Sequence, residues 1–361
     1  MPLINRRIVR SIVVRVAAVC LSVATTLFVC ELTLRALGWP AEDPVWRACA
    51  ETAFAFSANL NYRHMQPEYD VAFRTNELGL RDKPVGEKRG ERILVLGDSF
   101  TCGYGVEGWE TFSDLLEQRL GVEVINAGVG GFETIHQTRY FKTQGYKLRP
   151  DLVVYALYLD NDLRNNRLWE VGPGNELRRR DGQPALSDRG TPKLICLAKQ
   201  SVFLRRLAHR VKDEPRETWR PSSRYLALCR EPLDAEATED YRVARELLIE
   251  LRDAVESAGA KFLVVSFPCR AAVEGMPTVE VDATLDLLRP AREIAEICAA
   301  EKIDHLPLTD ALRRERRSSS TRLYHACDGH FTAAGHAMVA DRLADRLESP
   351  SLARNDKASR Q

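Results

Sequence analysis

The chain has almost no charge imbalance. Its 361 residues hold 52 Lys and Arg against 51 Asp and Glu, a net charge of +1. It therefore lacks the basic excess expected of a nucleic-acid binder. Metal and redox cysteine patterns are missing too, since the nine cysteines include no CxxC pair and no Cys/His spacing of a zinc site. There is no internal repeat, and no low-complexity run beyond Ser318-Ser319-Ser320. No metal or cofactor is expected. A hydrophobic content of 45% suffices for one large domain or two small ones.

What is present begins at the N-terminus. Arg6, Arg7, Arg10 and Arg15 precede residues 16–30, which carry no charge. Extended back to Ser11, with the Arg15 stem snorkelling, the segment reaches the roughly 20 residues that span a bilayer. The arginines place the near side in the cytoplasm, and Trp39 suits the opposite interface. A cleaved signal peptide is the alternative, but no clear small-x-small site follows the run. Val19 makes Ala17-Ala18-Val19-Cys20 a poor lipidation site. The reading is a retained signal anchor, with a cytoplasmic tail at 1–10, a membrane segment at 11–38 and the rest outside the cytoplasm, in the periplasm or at the cell surface. Cys20 and Cys30 fall in this segment, which leaves at most seven cysteines for disulfides.

Residues 39–90 are mixed, with Pro40, Pro44, Pro67 and Pro84 spread among them, and read as a lead-in packing on the main domain. Residues 73–82 predict a short strand and a Gly turn. The stretch Ile93-Leu94-Val95-Leu96-Gly97-Asp98-Ser99 then predicts a strand buried on both faces. Ser99 lies just past its carboxyl end, where open α/β sheets bind ligands. Two readings stand for it: a nucleophile awaiting a base, or a cap for the following helix.

Further strands are predicted at 122–127, 151–159, 261–267 and 303–308. Helices are predicted at 111–120, 133–148, 239–258, 281–301 and 332–347, the last with Thr332 as N-cap. This alternation argues for βαβ units and a parallel sheet. Residues 163–237 break it and predict an insertion, such as a lid over the carboxyl edge. Its amphipathic piece at 194–211 fits either packing onto the domain or contact with anionic membrane. A polar tail follows at 349–361.

Three of the predicted strand ends bring groups that acyl transfer requires. They are Ser99, the glycine turn Gly128 to Gly131 with its accessible backbone N–H groups, and Asn161, whose amide can donate to an oxyanion. The loop His325-Ala326-Cys327-Asp328-Gly329-His330 adds an imidazole and a carboxylate to orient it.

GDSFTCGYGV at 97–106, NAGVGGFET at 126–134, DND at 160–162 and DGHFTAAGH at 328–336 together resemble the four blocks of the SGNH (GDSL-type) hydrolase family. The resemblance implies a three-layer α/β/α sandwich with a flavodoxin-like central parallel sheet, here spanning 91–348, and ester hydrolysis or acyl transfer through a serine-bound acyl group. By position it implies Ser99 as nucleophile and His330 as general base, with Ser99, Gly131 and Asn161 forming the oxyanion hole. Asp328 would orient His330, the alternative being a Ser–His dyad with a backbone carbonyl holding the imidazole.

Two departures stand out. Asp160 replaces the usual Gly of the third block, which would narrow or charge the pocket. Asp328 lies two residues before His330 rather than three, a spacing resembling the alginate acetyltransferase branch. Asn76 and Arg81 recur in similar membrane-anchored proteins, without a role legible here. Cys102 is expected in the pocket wall, His336 as a packing or capping residue, and His136 and His305 without a partner. In the sheet order the family implies, Cys269 and Cys327 lie at adjacent strand ends, where a disulfide or two buried thiols are both open.

The leading expectation is a membrane-anchored esterase acting on O-acyl groups of a glycan or lipid. An O-acyltransferase for an exported polysaccharide and a non-catalytic binding module are the alternatives. Oligomeric state is not legible.

Overall fold

The computed structural model describes residues 6–36, 45–185, 220–275 and 284–348. The chain divides into two compact units, one of residues 1–43 and 188–215, the other of 44–187 and 216–361. In the first, the described residues form one helix, α1 (Arg6–Ala36). Within it Arg10–Thr33 is long and apolar enough to cross a membrane. The predicted helix at 194–211 lies outside the described residues.

The second unit is built on a five-stranded parallel sheet. Its strands are β5 (Arg92–Gly97), β6 (Glu123–Gly128), β7 (Leu152–Tyr158), β10 (Lys261–Phe267) and β11 (Asp304–Pro307), in the spatial order β11-β10-β7-β5-β6. Every residue of β5 is buried, as its unbroken apolar run predicts. Alternate side chains feed opposite layers. Val95, Val154 and Val265 pack with α2 (Phe112–Leu120), α9 (Thr309–Ser318) and α10 (Ala333–Glu348). Leu94, Tyr155 and Val264 pack with α3 (Thr134–Thr143), α6 (Ala235–Ser257) and α8 (Arg289–Ala300). The result is the expected three-layer α/β/α sandwich.

Several boundaries differ from expectation. The helix predicted at 133–148 stops at Thr143 and gives way to a short 3₁₀ turn, Gly145–Leu148. The one predicted from 281 starts at Arg289 with Pro290 in its first turn, where the fixed φ of proline is already helical. Residues 276–283 are not described. Helix α9 was not predicted, because TDALRRERRS offers only Leu312 as a large apolar residue, and Leu312 is buried.

From residue 45 on, the lead-in is part of this unit. It forms two antiparallel hairpins, β1 (Trp46–Cys49) with β2 (Ala53–Phe56), and β3 (Asn61–Gln66) with β4 (Tyr69–Arg74). Phe54, Phe56 and Phe73 share a third apolar cluster with Cys102, Val129 and Trp169. Trp169 belongs to a further hairpin, β8 (Trp169–Val171) with β9 (Leu177–Arg179). Within the expected insertion, this hairpin and the short helix α5 (Ser223–Leu228) are described, and the short helix α4 (Asn161–Arg164) leads into it. Asn76 closes a turn by accepting from the Leu78 and Leu80 N–H groups, both at 3.0 Å. Arg81 is buried and donates to the carbonyls of Cys102 (2.8 Å), Val106 (2.7 Å), Ala72 (2.8 Å) and Gly103. These bonds give both residues a physical role, since Arg81 ties the lead-in to the loop that follows Ser99.

The carboxyl ends are in register, with Gly97 beside both Gly128 and Ala156. The turn after β5 lies directly on this row. A methyl group on Gly128 would sit 2.6 Å from Thr101 Cβ and 2.7 Å from its carbonyl carbon, closer than real contacts allow. Gly128→Ala is expected to cost about 1–3 kcal/mol of stability by overpacking and to lower activity by displacing the turn. Chemical denaturation together with an ester assay checks this, and an unchanged unfolding midpoint would count against it.

Candidate active site

Past Gly97 the chain makes one tight turn. Asp98 Oδ1 accepts from the Phe100 N–H (2.9 Å), and the Asp98 carbonyl accepts from the Cys102 N–H (3.0 Å). Asn126 braces the turn from below, donating through Nδ2 to the Thr101 carbonyl and to Ser113 Oγ, each at 2.8 Å. Four residues surface along this edge between buried neighbours: Ser99 between Asp98 and Phe100, Gly131 between Gly130 and Phe132, Asn161 between Asp160 and Asp162, and His330 between Gly329 and Phe331. Gly131 has φ +76°, a left-handed conformation that favours glycine.

The structure brings Ser99, His330 and Asp328 into contact. His330 Nε2 lies 2.8 Å from Ser99 Oγ, and His330 Nδ1 bonds to Asp328 Oδ1. The other carboxylate oxygen, Oδ2, accepts from the Tyr69 hydroxyl at 2.8 Å. Burial works to raise the Asp328 pKa, but the bonds from His330 and Tyr69 outweigh it and hold the carboxyl well below its ordinary value. An ionised Asp328 accepts, so Nδ1 carries the hydrogen and Nε2 turns its lone pair to Ser99. Phe100 and Tyr104 flank the imidazole, with ring centroids at 4.9 and 5.4 Å.

Asn161 stands beside the glycine turn. Its Nδ2 donates to the Phe132 carbonyl at 3.3 Å and to Asp162 Oδ1 at 3.0 Å. Asp162 and Asp98 are both buried here. Burial pushes both carboxyls up, and for Asp162 the charge of Asp98 adds to the effect. Asp160 is buried as well and pairs with Arg164. Burial raises its pKa and the guanidinium opposes the rise.

His336, His136 and His305 have structural partners. His336 Nδ1 accepts the Phe112 N–H at the start of α2 (3.2 Å), His136 Nδ1 accepts the Glu133 N–H (3.2 Å), and His305 Nε2 meets Ser266 Oγ (2.9 Å). Burial lowers the pKa of His336 and His136 to about 3 and of His305 to about 4, so all three stay neutral. Cys102 is fully buried in the third apolar cluster, not in a pocket wall. The bridge between Cys269 and Cys327 is not formed. The Cys269 side chain instead hydrogen-bonds Tyr158. Among the described residues, no three His, Cys, Asp or Glu side chains are grouped to hold a metal ion.

Glu68 and Tyr69 escaped sequence reading. They sit some 260 positions from Asp328 and belong to no motif, the only local signal being a Pro67-Glu68 turn between two strands.

A serine, an imidazole and a carboxylate meeting at the carboxyl edge of a parallel α/β sandwich define a site of the serine acylhydrolase type. The chain belongs to the GDSL-like lipase/acylhydrolase family, whose model matches residues 95–338, and is an enzyme of the SGNH esterase class. None of the curated proteins matches it. Among solved structures it is similar to a lipase/acylhydrolase from Enterococcus faecalis, with 14% identity, a TM-score of 0.40, and coverage of 72% of this chain and 95% of that one. It is also similar to an acetyl xylan esterase, with 12% identity, a TM-score of 0.42, and coverage of 71% of this chain and 99% of that one.

The short loop spacing invites a direct test. Asp328→Asn is expected to lower kcat about 10⁴-fold, the loss that follows when the orienting carboxylate is replaced and the wrong tautomer is held. A loss of only a few fold would favour a Ser–His dyad.

Proposed function

We propose that the protein is a serine esterase acting through a Ser99 acyl-enzyme on O-acyl groups of a glycan or lipid, held by α1 at the outer face of a membrane. The observation that carries the chemistry is the unbroken line from Ser99 Oγ through the His330 ring to Asp328. Ser99 Oγ attacks the ester carbonyl while His330 Nε2 takes its proton. The oxyanion is met by the Ser99 and Gly131 N–H groups and the Asn161 amide, which gives up its 3.3 Å bond to Phe132. The proton then passes from His330 to the leaving alkoxide, and the acyl group stays on Ser99. Water, deprotonated by the same imidazole, attacks this ester, and the proton returns to Ser99 Oγ as the carboxylic acid departs.

Supporting the location are the apolar length of Arg10–Thr33 and the arginines before it. In this reading residues 1–10 are cytoplasmic, 11–38 are the anchor, 39–90 are a lead-in, 91–348 are catalytic with an insertion at 163–237, and 349–361 are a tail. An enzyme so placed meets acyl esters on surface lipids and exported glycans.

Ser99→Ala is expected to abolish both turnover of acetyl esters and labelling by a fluorophosphonate, since loss of the nucleophile costs several orders of magnitude. Retained turnover would overturn the mechanism. Asn161→Ala is expected to lower kcat about 10²- to 10³-fold with KM little changed, and equal kcat would make Asn161 structural. Acyl transfer to an added saccharide faster than hydrolysis would reassign the enzyme as a transferase. On fractionation, full-length protein is expected in the membrane with its C-terminal unit open to external protease. A soluble product starting after residue 30 would show a cleaved signal instead.

A further inference from the structure

The loop that delivers His330 runs from His325 to His330. Two of its own backbone bonds close it, His325 N–H to the His330 carbonyl (2.8 Å) and Gly329 N–H to the His325 carbonyl (3.1 Å). Between them, the N–H groups of Ala326, Cys327 and Asp328 point outward to a single side chain. Glu68 Oε1 accepts from Ala326 at 2.6 Å, and Oε2 accepts from Cys327 at 2.5 Å and from Asp328 at 3.1 Å. Successive N–H groups converging on one anion form a strong charge-assisted cradle. From the other side, Arg270 Nη1 donates to the carbonyls of His325 (3.1 Å) and Ala326 (2.6 Å).

The next residue of the same hairpin tip reaches the carboxylate itself. The Tyr69 ring is buried, packed 5.0 Å from the His325 ring and 5.2 Å from the His64 ring. Its hydroxyl donates to Asp328 Oδ2 at 2.8 Å. Asp328 Oδ1 is bonded to His330 Nδ1 and lies 3.3 Å from the His330 N–H. Without Tyr69, the carboxylate would be held on one oxygen only and could rotate about its Cβ–Cγ bond.

We infer that the tip of the β3–β4 hairpin completes the active site at one remove: Glu68 fixes the backbone of residues 326–328, and Tyr69 fixes the rotamer of Asp328 against His330. Both are positioning residues, and the inference rests on the triad proposed above. It accounts for the spacing of this loop. With the acid only two residues before the histidine, both lie on one tight turn, which needs an outside clamp to keep their side chains aligned.

The test uses the full-length chain in detergent with p-nitrophenyl acetate as substrate. Tyr69→Phe keeps the ring and removes only the hydroxyl. It is expected to lower kcat about ten- to a hundredfold, as loss of an outer partner does, with KM and the melting temperature nearly unchanged. Glu68→Ala is expected to lower kcat about 10²-fold, as an ångström-scale misplacement does, with Glu68→Gln retaining part of the activity through its one remaining acceptor oxygen. A double-mutant cycle then separates positioning from general packing. In an Asp328→Ala background, with the reactivity of Ser99 followed in every variant by the rate of fluorophosphonate labelling, Tyr69→Phe is expected to have no further effect. A full multiplicative loss in that background, or a Tyr69→Phe enzyme with unchanged kcat, would overturn the inference. If Asp328→Ala alone costs only a few fold, the triad reading fails instead, a different result from either.

Discussion

The site depends on a missing pair of side chains. Gly97 and Gly128 lie side by side at the carboxyl ends of β5 and β6, and the turn carrying Ser99 folds down onto them. A methyl group at Gly97 would fall 2.8 Å from Thr101 Cβ and 3.0 Å from the Ala156 carbonyl oxygen. The backbone can therefore approach only because both positions are bare. Once it does, Asn126 seizes the turn from the neighbouring strand and Gln137 Nε2 donates to the Gly97 carbonyl at 2.5 Å. Ser99 is thereby set on a base as rigid as the sheet, and in the proposed mechanism that is what lets it wait in register with its partners.

Rigidity on the serine side is matched from outside the sandwich. The lead-in hairpins supply aromatic rings to a third apolar cluster and one buried guanidinium, Arg81, to the carbonyls after Ser99. A charge as deeply buried as Arg81 is costly unless every donor finds a partner, and four carbonyls answer it here. From residue 45 on, the lead-in thus belongs to the same compact unit as the sheet.

The edge beneath the site is rich in buried acids. Asp98, Asp162 and Glu133 all have carboxyls raised by burial, Glu133 to about 8. Glu133 accepts from the Trp169 indole N–H at 2.7 Å and closes the first turn of α3. Asp328 is the contrast. Two good donors keep it ionised, and an ionised carboxylate is what an imidazole needs in order to become positively charged in the transition state.

Read alone, the pattern of the chain reveals βαβ units and a parallel sheet, because strands buried on both faces must read as unbroken apolar runs and amphipathic helices must repeat at 3.6 residues; the three-layer sandwich was implied by the resemblance to the SGNH family. The sequence also marked Ser99, Gly131, Asn161, Asp328 and His330, since these chemistries sit in short contiguous motifs at strand ends. Tertiary structure alone decided the rest. The Cys269 thiol turns to Tyr158 rather than to Cys327, because adjacent strand ends fix backbone positions but not side-chain directions. Helix α9 escaped because a single buried leucine is enough to anchor a helix whose other faces are solvated. Glu68 and Arg81 act across gaps of 260 and 21 residues through bonds to backbone groups that any residue would offer, and Tyr69 reaches the Asp328 carboxylate across 259. Such bonds leave no pattern in the sequence at the receiving end, so only the folded chain shows them.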